Sequence, residues 1–142
     1  MSLRGGPRPA PASLTVRVIV ALAGTFTVAA GLWALLDPVS FYTTIGAFPP
    51  YNEHFLHDIG AFQLGLGLSL LVALFWSDAL LAVLAAGAIS ATAHWGAHFV
   101  DRALGGHPTI DIPFFLVVAA LLWLAAAIRL REVRRAAAAE NR

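Results

Sequence analysis

The residues best suited to chemistry lie in AHWGAHFVDRALGGHP, residues 93–108, at the end of a long apolar run. His94, His98 and Asp101 are spaced i, i+4 and i+7, so on a helix they share one face. Two histidines at i, i+4 can chelate one divalent ion, and a carboxylate can complete a nitrogen and oxygen ligand set suited to zinc or copper. Ionisable groups in this setting indicate either a binding site or the polar edge of a membrane span.

The composition places these residues in a membrane protein. Of the 142 residues, 59% are hydrophobic and 12% are charged, which is about half the charged fraction of an ordinary soluble domain. The sequence has no cysteine, so disulfides, thiolate metal sites and cysteine-bound iron–sulfur clusters are excluded. Phosphate-binding and nucleic-acid motifs are also missing. The lipid bilayer is therefore the expected partner, and no nucleic acid is expected.

Four segments reach the roughly 20 apolar residues that a membrane-spanning helix needs. They predict an all-α fold, an integral membrane four-helix bundle, with spans at about 14–36, 54–76, 79–100 and 112–128. The helical domain then covers residues 14–132. It is preceded by a Gly-, Pro- and Arg-rich segment, 1–13, that is predicted to be disordered, and followed by a basic tail, 133–142.

The basic residues predict the orientation of the spans. All nine are arginines, and only Arg102 lies away from the two ends of the chain. The others are Arg4, Arg8, Arg17, Arg129, Arg131, Arg134, Arg135 and Arg142. The positive-inside rule therefore predicts a multi-pass cell-membrane protein with both termini in the cytoplasm, and with residues 37–53 and 101–111 outside.

The second and third spans are predicted to form a hairpin with its turn at Ser77 and Asp78. Counting from that turn places His57 level with His98, and His54 level with Asp101, at the outer end. Small residues continue the same helical stripes towards the turn, which permits close helix approach in lipid. These are Ala61 and Gly65 on the second span, and Gly87 and Ala91 on the third. The polar cluster is therefore expected to point between helices.

The predicted metal ligands are His57, Asp58, His94 and His98, with His54 and Asp101 as further polar members of the cluster. The expected ion is zinc or copper. Three readings of the cluster stay open. It binds a metal, or it is a hydrogen-bonded network that fastens the helix bundle of a protein that acts as a homo-oligomer or as a subunit of a membrane complex, or it anchors haem or a quinone. Haem is less favoured because neighbouring helices lie only about 8–10 Å apart. The sequence contains no complete catalytic motif that would assign an enzyme activity.

Four short motifs follow one another along the chain. The first span ends in LLDPVSFY, a loop with FPP follows, the second span opens with DIGAFQLGLGLSLLVAL, and histidines close the third. Over about residues 15–130, this order resembles the DoxX-like group of small four-helix bacterial membrane proteins. The resemblance implies a bacterial inner-membrane protein with an accessory or redox-associated role, since DoxX relatives include a subunit of a thiosulfate:quinone oxidoreductase. His57 and Asp58 stand here where DoxX-type sequences more typically carry a glutamate.

Overall fold

The computed structural model describes residues 10–141, except for the side chains of Ser77 and Asp78. The described residues form five helices and no strand: α1 (Leu14–Leu36), α2 (Pro38–Thr44), α3 (Glu53–Ala73), α4 (Ser77–Val100) and α5 (Pro108–Glu140). Four of them, α1, α3, α4 and α5, contain stretches long and apolar enough to cross a membrane. The predicted all-helical class with four apolar spans is thus confirmed. The predicted disordered segment falls mostly on residues 1–9, outside the described residues.

Capping residues determine where α2 and α3 begin. The side chain of Asp37 accepts a hydrogen bond from Ser40 N at 3.1 Å, and Pro38 occupies the first turn of α2, where no N–H is needed. Asn52 caps α3 in the same way, accepting from Phe55 N at 3.1 Å. The Asp-Pro pair therefore starts a short extra helix inside the segment that the sequence predicts as a loop.

The helices α1 and α3 pack against each other, antiparallel, through direct backbone contact. A Cβ added at Gly31 would lie 2.9 Å from Gly60 O, and one added at Gly67 would lie 2.9 Å from Gly24 O. Seven residues, two helical turns, separate the glycines on each helix, so both contacts lie on one face. Only glycine permits so close an approach.

The helices α4 and α5 form the second closely packed pair, and the two pairs meet at the end that carries the α3–α4 turn. We call this the turn end. All four long helices contribute buried residues to its core: Val16, Val20, Leu70, Ala73, Leu80, Leu84, Ala88, Leu122, Ala125 and Ala126. At the opposite end, called the site end, the second buried cluster comes from α1, α2 and α3 alone: Ala30, Ala34, Phe41 and Leu56. The turn end is therefore where one buried apolar core joins all four long helices.

An arginine lies buried at the turn end. The side chain of Arg129 is 0% exposed, and its Nη1 donates to Glu132 Oε2 at 3.1 Å. The other carboxylate oxygen of Glu132 accepts from Ser13 N at 3.1 Å. Since a buried charge has to be paired, this ion pair ties the start of α1 to α5.

The predicted inward stripe on the second span is wrong. Asp58, Ala61 and Gly65 are exposed, and no atom would lie within 4 Å of a Cβ added at Gly65. The buried residues of α3 are Leu56, Gly60, Gly67, Leu70 and Ala73. The reason is that α3 uses its glycines to approach α1, and this face is nearly opposite the one that carries the ionisable residues.

Two boundaries also differ from the expected spans. The turn between α3 and α4 lies at residues 74–76, and α4 has already begun at Ser77. Because the loop between the two helices is centred earlier in the chain than predicted, the α3 residue that faces a given α4 residue shifts by more than one helical turn. The basis for placing His57 level with His98 is thereby removed. The last helix runs from Pro108 to Glu140 and so extends well beyond the predicted span at both ends.

Candidate functional site

The candidate site lies at the site end, where α4 finishes and α5 begins. His94 Nε2 and His98 Nε2 lie 3.0 Å apart, within hydrogen-bond distance. On the other side of the His98 ring, Nδ1 lies 3.6 Å from Asp111 Oδ2, which is an ion-pair distance. Two imidazoles and a carboxylate therefore stand in a row, with His98 in the middle.

Asp111 is fixed by the helix that carries it. Its Oδ2 accepts a hydrogen bond from His107 N at 2.7 Å, which satisfies a free N–H at the start of α5. A carboxylate in the first turn also interacts favourably with the helix dipole. The side chains of Asp111 and His98 are only 13% and 15% exposed, so their interaction is largely shielded from solvent.

Aromatic rings enclose the histidine pair. The Phe115 ring centroid lies 4.3 Å from that of His94 and 4.6 Å from that of His98. Phe48, in the loop after α2, meets His98 edge-on at 5.4 Å. An apolar wall lowers the local dielectric and strengthens charge interactions inside it.

A glycine in the left-handed region docks the α4–α5 loop onto the site. Gly106 has φ +71°, and its N–H donates to Ala47 O at 2.9 Å. A Cβ at this position would lie 2.9 Å from Asp111 Oδ2 and 2.9 Å from the Phe48 ring. The absence of a side chain thus allows the loop, the aromatic wall and the carboxylate to meet.

The structure joins two of the four predicted ligands, His94 and His98, and leaves the other two elsewhere. Asp58 lies 3.7 Å from His54 Nε2 in an exposed i, i+4 pair, with side chains 55% and 88% exposed. His57 is half-buried and has no hydrogen bond or ion pair within residues 10–141. Across the same residues, no group of three or more histidine, aspartate and glutamate side chains is arranged to hold a metal ion. The four-residue metal site stays a prediction.

The further polar members also lie outside the row. Asp101 ends α4, where its backbone N–H donates to Ala97 O at 2.8 Å. Sequence reasoning missed Asp111, Phe48 and Phe115 as members of the site. A signal existed for the first of these, because an aspartate in the turn that follows Pro108 is well placed to bind the free N–H groups at the start of a helix.

No family model, curated protein or solved structure matches the chain. The chemistry of the site therefore follows from its own residues. A paired imidazole with a carboxylate behind it can accept a proton, donate a hydrogen bond, or offer a ring nitrogen to a ligand.

Proposed function

We propose that this protein is a small multi-pass membrane protein, accessory to a membrane complex or to a redox process, and that its working site accepts and passes on a proton. The working site is the row Asp111, His98, His94. The observation that carries this proposal is the 3.0 Å separation of the two Nε2 atoms, combined with the Asp111 carboxylate 3.6 Å from the far nitrogen of His98.

The geometry assigns a role to each group. Two facing Nε2 atoms at this distance share one proton, so one ring donates while the other accepts. The carboxylate favours an N–H at Nδ1 of His98 and would stabilise the ring if it became an imidazolium. His94 is the more exposed of the two residues, and it lies one helical turn further into α4 than His98. The row can thus hold one proton between the two rings, with the Asp111 carboxylate at its far end.

A second candidate is one divalent ion, zinc or copper, bound by both Nε2 atoms. It is favoured because the two ring nitrogens face each other, and because a carboxylate at the other nitrogen of a metal-binding histidine is a common supporting arrangement. Further ligands would have to come from water or from a partner, since tetrahedral zinc sites use four.

Histidine-selective ¹⁵N NMR of the detergent-purified, metal-free protein tests both candidates. A shared proton predicts that His94→Gln changes the Nε2 resonance of His98 and that Asp111→Asn shifts its Nδ1 resonance. The matched control Asp58→Asn should move only the His54 signals, because Asp58 contacts that residue alone. A His98 Nε2 resonance that stays unchanged in His94→Gln, with no response to Asp111→Asn, would contradict the proton site. A stoichiometric shift of both Nε2 resonances on adding Zn²⁺ would favour the metal, since Zn²⁺ is d¹⁰ and leaves the signals of its ligands observable.

The proposed orientation has both termini in the cytoplasm and the site near the outer face. It rests on the arginines at the two ends of the chain. Because the chain has no cysteine, single cysteines can report it. An impermeant thiol reagent added to intact cells should label Thr44→Cys and spare Trp76→Cys, both exposed positions. The reverse labelling would contradict the orientation.

A further inference from the structure

The last helix continues as a helix beyond its apolar part. The apolar run ends near Ile128, whereas α5 continues to Glu140, about 18 Å further at 1.5 Å per residue. Three arginines occupy the beginning of this extension: Arg131, Arg134 and Arg135. All three are exposed, in contrast to Arg129, which is buried and paired with Glu132.

The three arginines lie on the face of α5 that is exposed along the span. Arg131, Arg134 and Arg135 are spaced i, i+3 and i+4, so they share one side of the helix. Val117 and Leu124, at steps of seven residues before Arg131, are 56% and 49% exposed. The arginine face therefore continues the lipid-exposed face of the span, directly where the helix leaves the apolar layer.

The depth of these side chains matches a lipid headgroup layer. They begin about 5–10 Å beyond Ile128 along the helix axis, and the headgroup region is about 5–8 Å thick on each side of the bilayer. Long arginine side chains can also reach back towards this layer.

Nothing else in the described part of the chain neutralises these charges. Within residues 10–141, none of the three has a hydrogen bond or an ion pair. The nearby carboxylate of Glu132 is already bound by Arg129 and Ser13 N. Guanidinium groups bind phosphate through two parallel hydrogen bonds, which a lipid phosphate can supply.

We propose that Arg131, Arg134 and Arg135 form a docking surface for anionic phospholipid headgroups in the leaflet from which α5 emerges. This surface is separate from the histidine site: it rests on the proposed membrane location and does not depend on the proposed proton site. Lipid is its expected ligand because the arginines face outward at headgroup depth, where an anionic leaflet attracts each basic residue.

Spin-label electron paramagnetic resonance tests the surface with the full chain in phosphatidylcholine bilayers. The probes are spin-labelled phosphatidylglycerol and spin-labelled phosphatidylcholine, and the readout is the relative association of each with the protein. At low salt we expect about a threefold or greater preference for phosphatidylglycerol, largely removed at 1 M salt. The triple variant Arg131→Gln, Arg134→Gln, Arg135→Gln should lose it.

The matched control replaces the same three residues by lysine, which keeps the charge and should keep the low-salt preference. Helical circular dichroism of both triple variants confirms that they are folded. Equal association of the two lipids with the unaltered protein would overturn the proposal, and this is the result expected if the arginines serve an acidic protein instead. Full preference in the folded glutamine variant would overturn it as well.

Discussion

The two helix pairs are held together in different ways. The α1–α3 pair brings backbone against backbone at Gly24, Gly31, Gly60 and Gly67. The α4–α5 pair is joined through side chains, with Phe115 against both histidines and Trp123 Nε1 donating to Thr92 Oγ1 at 3.0 Å. At Gly96 on α4, an added Cβ would meet no atom within 4 Å.

The two kinds of contact suit different roles, one in supporting the fold and the other in carrying the candidate site. Backbone contact leaves little room for adjustment, so we expect the α1–α3 pair to be the more rigid of the two. Side-chain contact allows rings to rotate and polar groups to exchange partners, which a site that binds or passes on a proton requires. The candidate site accordingly lies on the pair that is joined by side chains.

The largest effect is expected from a substitution that forces α1 and α3 apart. In Gly67→Ala, the new methyl would lie 2.7 Å from Val28 N and 2.9 Å from Gly24 O, so the helices have to separate. We expect a loss of about 2–3 kcal/mol in the free energy of unfolding, typical of an overpacked interface. Titration with SDS in bicelles measures it. Gly65→Ala, two residues away and with open space around it, is the matched control. It should be neutral or gain about 0.5 kcal/mol. Equal losses in the two variants would refute the backbone contact.

A smaller effect is expected at the loop that closes the site. Gly106→Ala places a side chain on a left-handed residue and against Asp111 Oδ2. The conformational cost is about 1–2 kcal/mol, and moving the carboxylate should also shift the Nδ1 resonance of His98. NMR and SDS titration of the same sample give both readouts. A variant that loses stability while the His98 signals stay in place would show that the loop does not position Asp111.

The smallest effect is expected at two tryptophans of α4 and α5, the pair of helices joined through side chains. Trp123→Phe removes the hydrogen bond to Thr92 and should cost about 1 kcal/mol. The indole nitrogen of Trp95 is buried without a hydrogen-bond partner in the described residues, so Trp95→Phe should be neutral or stabilising. Thermal unfolding of both variants in one detergent checks the order. A greater loss for Trp95→Phe would mean that its N–H has an acceptor.

The sequence predicted the elements of the fold better than their pairing. Runs of about 20 apolar residues indicate membrane helices, because a helix of that length crosses the hydrocarbon layer and pairs its own backbone N–H and C=O groups. The inward face of such a helix is less visible, because its lipid-facing side is apolar too. On α3, Gly60 and Gly67 face α1 while Gly65 is exposed, although all three are the same residue type.

The candidate site was predictable in part for the same reason. The i, i+4 spacing placed His94 and His98 together, because neighbours on one helix are fixed by its period. The sequence predicted His57 and Asp58 as further members, whereas the carboxylate beside His98 in the structure is that of Asp111. Asp111 reaches His98 only because the loop before α5 folds back onto the site through the left-handed Gly106, and such tertiary contacts leave no periodic pattern.

The most direct test of the proposed proton site is a scalar coupling between the two Nε2 atoms across their hydrogen bond. Uniformly ¹⁵N-labelled protein in detergent at neutral pH, free of metal, should show a resolved coupling between His94 Nε2 and His98 Nε2, because one shared proton is proposed to lie between these atoms, 3.0 Å apart. The coupling should vanish in His94→Gln. Two uncoupled rings that exchange protons independently with solvent would contradict the shared proton and, with it, the assignment of this row as the working site.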